Sequence, residues 1–295
     1  MESKKKILFV VNPKSGTKSI GKRQLIIDLV LHFAQAIFEV QVAQTTHVGH
    51  ATQLTQQAVL QGIDYVVAVG GDGTVNEVAQ ALIDTNTALG ILPLGSGNGL
   101  ARHLGIPMQP EKALQVIFKE RVFAIDACFV NNLPFFCTAG VGFDAFVAHR
   151  FAQQKSRGLQ TYARTTIQSF WKFKPDTYQL QLDDQSLSNK SFAITFANAS
   201  QYGNNAFVAP NAKINDGWLD VCLLSPFPAA LAPSIGLRLF QRTLPRSKFV
   251  EVIKAKEITL RAPSPLLIHF DGEPKQLKTN ELQVSIRQQC LKVLV

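Results

Sequence analysis

In the first 125 residues, short apolar runs alternate with segments in which apolar positions recur every three or four residues. Bare apolar runs predict buried strands, whereas the spacing of three and four predicts one buried face of a helix. The predicted strands cover 7–11, 38–43, 65–69 and 88–92, and the predicted helices cover 21–36, 50–61 and a segment that begins near Val75. Strands that alternate with helices in this way predict a doubly wound parallel sheet.

Beyond about residue 121 the pattern changes to short strand-like runs separated by clusters of turn residues, which predicts an all-β domain of the sandwich type. Helical inserts at about 143–173 and 228–241 interrupt it. We therefore expect an α/β domain over 1–125 and a β domain over 126–281, with the segment at about 282–295 able to return to the first domain. The predicted strands are Val122–Phe129, Phe135–Thr138, Tyr178–Leu182, Phe192–Ala197, Trp218–Leu224, Phe249–Lys254, Glu257–Leu260 and Leu266–Phe270.

Composition favours a folded chain of two domains. The 295 residues are 46% hydrophobic and 17% charged, and no apolar run approaches the length that spans a bilayer. The apolar run 7–11 is too short for the core of a signal peptide, so we expect a soluble cytoplasmic protein. The four cysteines form no C-x-x-C pair, which predicts reduced, buried thiols without a zinc site or disulfides.

The formal net charge of +9 favours an anionic partner, such as a nucleotide, a nucleic acid or an acidic membrane face. A surface charged only for solubility is the alternative. The chain contains no run of five basic residues and no aromatic–basic RNA motif, so we expect no nucleic-acid partner.

The stretch Gly70-Gly71-Asp72-Gly73-Thr74 lies between a predicted strand and a predicted helix. Its glycines leave backbone N–H groups uncovered beside a helix N-terminus, which is an arrangement suited to binding phosphate. The carboxylate of Asp72 opposes phosphate charge unless it holds a divalent cation or orders the loop. The pattern therefore suggests phosphate handled with Mg²⁺; a tight turn without a ligand is the alternative.

Two more loops, beginning at Asn12 and Gly95, also follow predicted strands, and loops after parallel strands meet at one edge of the sheet. The segment Gly16–Arg23 nearly matches a phosphate-binding P-loop, but Arg23 stands where that motif requires Ser or Thr for Mg²⁺. No Rossmann glycine fingerprint is present, which disfavours a dinucleotide oxidoreductase.

In the second half, Asp271 and Glu273 flank Gly272 at the end of a predicted strand. Paired carboxylates can serve as a general base and a metal ligand. A solvated hairpin tip is the alternative. The turn sequence Asn215-Asp216-Gly217 has no chemical signature of its own.

Together these motifs resemble the diacylglycerol kinase catalytic-domain family, in its bacterial soluble lipid kinase branch, which is related to sphingosine and ceramide kinases. The glycine–aspartate loop alone is shared with NAD kinases and phosphofructokinases, whereas six segments in this order are highly specific. They are Asn12–Gly16, Gly70–Glu77, Leu92–Asn98, Gly140–Asp144, Asn215–Asp220 and Phe270–Glu273.

The resemblance implies a nucleotide-binding α/β domain, a β-sandwich domain that receives a lipid, and an active site in the cleft between them. It implies ATP as donor, Mg²⁺, and Glu273 as the base that deprotonates the lipid hydroxyl. Asp72 matches a residue tied to Mg²⁺ and phosphate. A Mg²⁺ site is implied at Lys213, Asp216 and Trp218, where Asp216 gives its carboxylate and the others give backbone carbonyls. The implied nucleotide contacts are Asn12, Pro13, Lys14, Ser15, Gly16, Thr45, Gly70, Gly71, Asp72, Gly73, Thr74, Val75, Asn76 and Ser96.

One residue departs from the pattern of the family. Many diacylglycerol kinase relatives carry Asp where this chain has Gly99, and sphingosine kinases carry a small residue there. The acceptor is thus open: diacylglycerol or a related glycerolipid is expected, with a sphingoid base or NAD as alternatives. A non-catalytic lipid-binding protein on the same fold is a further alternative. We also expect transient, peripheral contact with a membrane and a possible homodimer.

Overall fold

The structure is a computed structural model that describes residues 4–15, 28, 32–154 and 159–295. The chain divides into two compact units. The first unit consists of Met1–Ile125 and Gln289–Val295, and the second consists of Asp126–Gln288.

The first unit contains a parallel sheet with strand order β2-β1-β3-β4, whose strands are β1 (Lys6–Val11), β2 (Glu39–Gln44), β3 (Tyr65–Gly70) and β4 (Ala88–Pro93). Every residue of β3 and β4 is buried, which explains their unbroken apolar character. The C-terminal end of β16 (Glu281–Leu294) joins this sheet beside β4, with Val293 opposite Leu89. The predicted parallel α/β domain is confirmed.

Helices connect the strands of the first unit: α1 (His50–Leu60), α2 (Asp72–Leu82), α3 (Gly99–His103) and α4 (Pro110–Phe118). The apolar face of α2 that the periodicity predicted is buried at Val75, Val78, Ala79 and Leu82. Most of the predicted helix 21–36 lies outside the described residues; residue 28 and residues 32–36 of it are helical.

The second unit is a β-sandwich, as predicted. One sheet has the order β12-β11-β10-β7-β14-β15, and the other sheet contains β16, β13, β8 and β9, with β5 and β6 alongside. Alternate apolar residues of both sheets meet in one core, among them Val141, Phe196, Leu260 and Val284. The strands not yet defined are β5 (Val122–Val130), β6 (Leu133–Phe135), β7 (Thr138–Gly142), β8 (Asp176–Leu182), β9 (Gln185–Ser191), β10 (Ala193–Ala197), β11 (Leu219–Leu224), β12 (Val250–Ala255), β13 (Glu257–Arg261), β14 (Leu267–Phe270) and β15 (Glu273–Gln276).

The helical inserts of the second unit are α5 (Phe143–Ala152) and α6 (Leu159–Phe170), followed later by α7 (Ala232–Phe240). A short 3₁₀ helix, Ala229–Leu231, leads into α7. No helix within the described part of the chain is both long enough and apolar enough to cross a membrane.

The prediction of one strand over Phe135–Thr138 is wrong, because β6 ends at Phe135 and β7 begins at Thr138. The N–H groups of Phe136 and Cys137 donate to the carboxylate of Asp271 instead of a neighbouring strand. The pattern also missed β9 and β15, whose residues are mostly polar and exposed and therefore lack an apolar alternation.

Candidate functional site

The loops after β3 and β4 pack backbone against backbone in the first unit. The carbonyl of Gly70 accepts the N–H of Leu94 at 2.7 Å and that of Gly95 at 3.2 Å. A Cβ added to Gly95 would lie 2.5 Å from the Cα of Gly71, a distance that side-chain carbons do not tolerate. The two loops can approach this closely only because glycine stands at the contact.

The carboxylate of Asp72 orders the second of these loops. Its Oδ1 accepts the N–H of Gly99 at 2.7 Å, and its Oδ2 accepts the N–H of Asn98 at 2.9 Å. A Cβ on Gly97 would come within 2.7 Å of Oδ2. Of the roles that the sequence left open for Asp72, the structure shows loop ordering. The residue also lies in the first turn of α2, where a negative charge is favourable.

The loop after β1 is tied to the glycine loop. The Asn12 amide donates to the Thr74 hydroxyl at 3.0 Å, and its oxygen accepts the N–H of Lys14 at 2.9 Å. The Ser15 hydroxyl donates to the Asn12 carbonyl at 2.8 Å. Pro13 belongs to the same turn, and Gly16 lies outside the described residues.

The structure thus brings together three loops at the carboxyl ends of the neighbouring strands β1, β3 and β4. Gly73, Val75 and Asn76 lie in the first two turns of α2, and the Val75 N–H donates to the Gly71 carbonyl at 3.0 Å. Ser96 is exposed at the tip of the loop after β4.

A residue to which sequence reasoning gave no role, Glu77, fixes the segment after β2. Its carboxylate accepts the N–H of Gly49 at 2.9 Å and that of Ala51 at 3.1 Å, at the N-terminus of α1. Thr45, at the start of this segment, donates its N–H to the Val11 carbonyl at 2.9 Å. Glu77 falls one helical turn after the glycine loop and closes the segment Gly70–Glu77 that carries the resemblance, so the sequence marked the residue without indicating its role.

In the second unit, Glu273 begins β15 directly after a two-residue hairpin turn. The turn residues Asp271 and Gly272 have φ angles of 46° and 86°, the left-handed conformation that Asp-Gly turns provide. The Asp271 carboxylate accepts N–H groups from Phe136, Cys137 and Thr138 at 2.8–3.2 Å and so clamps the hairpin. The side chain of Glu273 is exposed. The backbone at residues 271–273 is therefore a hairpin tip, as the alternative interpretation of the sequence expected, and the three hydrogen bonds to Asp271 hold it in place.

A buried polar cluster lies beside this hairpin. His269, which is 3% exposed, places Nε2 3.0 Å from Oδ2 of Asp144, and the Thr195 hydroxyl donates to the same oxygen at 3.0 Å. The Tyr202 hydroxyl also reaches this oxygen, at 3.3 Å, and burial raises the pKa of Tyr202 well above its usual value. The cluster fixes the start of α5 against β10 and β14.

Asp216, the carboxylate expected to hold Mg²⁺, has a cationic partner in the chain. The Lys254 Nζ lies 2.8 Å from its Oδ2, and the Trp218 N–H donates to its Oδ1 at 3.1 Å. Burial is the largest single influence and lowers the pKa of Lys254, but the hydrogen bond to Asp216 and the negative charges of Asp220 and Asp216 together outweigh it, so the net pKa is raised. The described residues contain no group of three His, Cys, Asp or Glu side chains suited to a metal.

Lys254 therefore already occupies one oxygen of the carboxylate that was expected to hold Mg²⁺. The assignment of Mg²⁺ to Lys213, Asp216 and Trp218 stays a prediction.

Both halves of the chain match known domain families. Residues 6–130 match the diacylglycerol kinase catalytic domain, and residues 137–295 match the YegS C-terminal NAD kinase beta sandwich-like domain. Proteins of Chromohalobacter salexigens and Yersinia pestis, each named probable lipid kinase YegS-like, are 32% identical to the chain over 233 residues. These alignments cover 77% of this chain and 75% and 77% of the two relatives.

The fold itself is shared with a crystal structure described as a diacylglycerol kinase from Bacillus anthracis. The TM-score is 0.76 at 23% identity, over 98% of this chain and 96% of that one. The match over residues 6–130 puts the first domain in the diacylglycerol kinase-like class. Within that class, the chain belongs to the YegS-like lipid kinase family.

Proposed function

We propose that this protein transfers the γ-phosphoryl group of ATP to a lipid hydroxyl, with diacylglycerol or a related glycerolipid as acceptor. The observation that carries the proposal is the mutual bracing of three loops by Asp72, Asn12 and the Gly70 carbonyl. Phosphoryl transfer depends on positioning and charge neutralisation more than on covalent chemistry, so prearranged loops are what it requires.

On the donor side, the N–H groups of the loops after β1 and β3 would bind the phosphates of ATP. The N-terminus of α2 adds its partial positive charge. ATP would bind as its complex with Mg²⁺, in which the cation would neutralise part of the phosphate charge. Asp72 holds the loop after β4 in shape through its two N–H contacts, and this loop presents the exposed Ser96.

On the acceptor side, we assign the general base to Glu273. Its carboxylate is exposed on a hairpin that the Asp271 contacts make rigid. In the reaction Glu273 takes the proton of the lipid hydroxyl, the hydroxyl oxygen forms the new bond to the γ-phosphorus, and the bond from that phosphorus to the bridging oxygen breaks to release ADP. The role requires the acceptor to meet both the nucleotide and Glu273 during turnover.

Gly99 keeps the identity of the acceptor open. Its N–H is held by Oδ1 of Asp72, and it begins α3 without the carboxylate that many relatives carry there. A sphingoid base and NAD are therefore included as competing acceptors in the test.

The test is transfer of radiolabelled phosphate from ATP to lipids in mixed micelles, with the product read by thin-layer chromatography. Diacylglycerol, monoacylglycerol and sphingosine are supplied separately, and NAD is supplied without micelles. We expect a labelled glycerolipid from the wild type and a loss of at least about 100-fold in kcat for Glu273→Gln, because general-base catalysis contributes about that much.

The matched control is Glu251→Gln, an exposed carboxylate on β12 of the same unit, which should keep wild-type turnover. If NAD is labelled and no lipid is, the acceptor would be a soluble molecule and the lipid kinase proposal would be wrong. No labelled product from any acceptor, with the protein shown to be folded, would favour the non-catalytic alternative.

A further inference from the structure

Two segments of the second unit expose large apolar side chains to which no role has been assigned above. At the end of α6, Ile167 is 67% exposed and Trp171 is 75% exposed. They are four positions apart, which places them on one side of the helical turn. Within α7, Leu237 is 55% exposed and Phe240 is 53% exposed, at a spacing of three.

Both segments are anchored in one aromatic cluster, so neither is a loose tail. The ring of Phe170, the last residue of α6, lies 5.9 Å from that of Phe227. Phe227 precedes the 3₁₀ helix that leads into α7, and it also contacts Phe192 at 5.1 Å and Phe249 at 6.1 Å. On its inner side, α7 buries Ile235. The exposed side chains are therefore presented from a fixed base.

The charged residues within these two segments of the sequence are all basic. Residues 159–175 contain Arg164, Lys172 and Lys174 and no Asp or Glu. Residues 221–250 contain four basic residues and again no acidic residue. Exposed apolar side chains among basic ones are typical of surfaces that lie at an anionic lipid interface, and tryptophan favours the headgroup level.

We propose that the end of α6 and α7, termed here the docking surface (Ile167–Lys174 and Ala232–Phe240), binds an anionic lipid bilayer. The inference rests on the proposed function, since a lipid acceptor held in a bilayer has to be reached at the bilayer surface. The four apolar side chains would enter the headgroup region, and the basic residues would pair with anionic lipids.

The basic residues of the docking surface favour a bilayer over a second copy of the chain as its binding partner. The two segments of the docking surface contain basic residues and no Asp or Glu, so a two-fold symmetric contact through it would set basic residues against basic residues. A bilayer rich in anionic lipid provides both the opposite charge for the basic residues and an apolar interior for the exposed apolar side chains.

The test is co-sedimentation with vesicles in the absence of ATP, so that binding is read without turnover. Vesicles of equimolar phosphatidylglycerol and phosphatidylcholine are compared with vesicles of phosphatidylcholine alone. We expect binding to the anionic vesicles, weakened by added salt. The double variant Ile167→Ala/Trp171→Ala should weaken partitioning by at least about tenfold. The variant Leu237→Ala/Phe240→Ala should act in the same direction.

The matched control is Leu60→Ala, a side chain that is 88% exposed at the end of α1 in the first unit and should leave vesicle binding unchanged. Tryptophan fluorescence provides a second readout. We expect a blue shift when the wild type meets anionic vesicles, and we expect Trp171→Phe to remove the shift although Trp218 remains.

Phosphorylation of a short-chain diacylglycerol dispersed in water separates this inference from the kinase proposal. The docking-surface variants should keep that activity and lose activity on vesicle-borne lipid. Equal vesicle binding by the wild type and both double variants would overturn the docking surface and leave the kinase proposal standing. Absence of vesicle binding by the wild type would also overturn the docking surface. A dimer that dissociates when Trp171 is substituted would overturn it as well, because the surface would then be a contact between two copies.

Discussion

At the scale of single residues, the site depends on one carboxylate that holds two backbone N–H groups. Replacing Asp72 by Ala leaves the donors of Asn98 and Gly99 without their acceptor. Hydrogen bonds to charged groups contribute about 1.5–3 kcal/mol each, so we expect the free energy of unfolding to fall by at least about 2 kcal/mol. Urea denaturation measures this change.

The same substitution should also reduce kcat by at least about 100-fold, because a displaced loop no longer positions the phosphates. Asp72→Asn should be intermediate in stability, since its amide keeps one oxygen acceptor but turns a donor toward the second N–H. An exposed carboxylate, Asp184, provides the control. Stability equal to wild type in Asp72→Ala would contradict loop ordering.

Gly95 is the second residue on which the site depends. Its Cβ in an alanine variant would meet the Cα of Gly71 at 2.5 Å, and backbone cannot move aside as a flexible side chain can. We expect Gly95→Ala to separate the two loops, to raise the KM for ATP and to destabilise the protein by about 1–3 kcal/mol. Gly236→Ala is the matched control, because nothing lies within 4 Å of a Cβ there. That change within α7 should be neutral or stabilising by up to about 1 kcal/mol.

At the scale of elements, the β14–β15 hairpin connects the fold to the chemistry. Asp271 clamps it by accepting three N–H groups from the 136–138 segment. We expect Asp271→Ala to lower kcat by about tenfold or more while the KM for ATP stays unchanged, because the base loses its fixed position and the nucleotide loops do not. Steady-state kinetics with ATP varied measure this. A rise in the KM for ATP at constant kcat would show that Asp271 acts elsewhere.

A second contact between elements should give the first unit a pH dependence. The Glu120 carboxylate meets the Lys5 ammonium at 2.6 Å, next to the hydroxyl of Tyr65. The hydrogen bond from Lys5 lowers the pKa of Glu120 below 4.5, and the same contact raises the pKa of Lys5. The stabilisation is therefore present above pH 4.5 and is lost as pH falls through the lowered pKa of Glu120.

We expect Glu120→Gln to reduce the free energy of unfolding by about 0.2–1 kcal/mol at pH 7, a small effect because the pair is largely solvated. The difference from the wild type should shrink toward zero as the pH falls below 4.5. Urea titrations at a series of pH values measure it. A difference that grows on acidification would contradict the sign of the shift in the pKa of Glu120.

The elements also show what a sequence can predict. Strands β3 and β4 and the glycine loops were predicted, because apolar runs and turn residues are local signals. The break between β6 and β7 was not predicted, because it depends on Asp271, which lies more than 130 positions away in the sequence. Likewise the sequence located Asp72 but left its role open, because the partners of that carboxylate are 26 and 27 residues distant.

At the scale of the whole molecule, the chain returns to its first unit only at the end. Residues Gln289–Val295 belong to that unit, whereas β16 begins at Glu281 in the second. The segment at about 282–295 was expected to be able to return to the first domain, and Val293 pairs with Leu89 of β4. Residues 281–285 of β16 pair instead with β13, a change of partner along one strand that local pattern cannot indicate.

This return makes the stability of the first unit depend on the C-terminus. The residues Leu291, Val293 and Leu294 are each at most 1% exposed. Burying such side chains contributes about 1.5–3 kcal/mol each, so deleting residues 289–295 should remove much of the 5–15 kcal/mol typical of a domain. We expect the truncated protein to expose the first unit to limited proteolysis while the second unit resists. The control is Val295→Ala, at a partly buried position whose backbone bond to Arg121 is kept. Cleavage of both units at equal rates would instead show that they unfold as one.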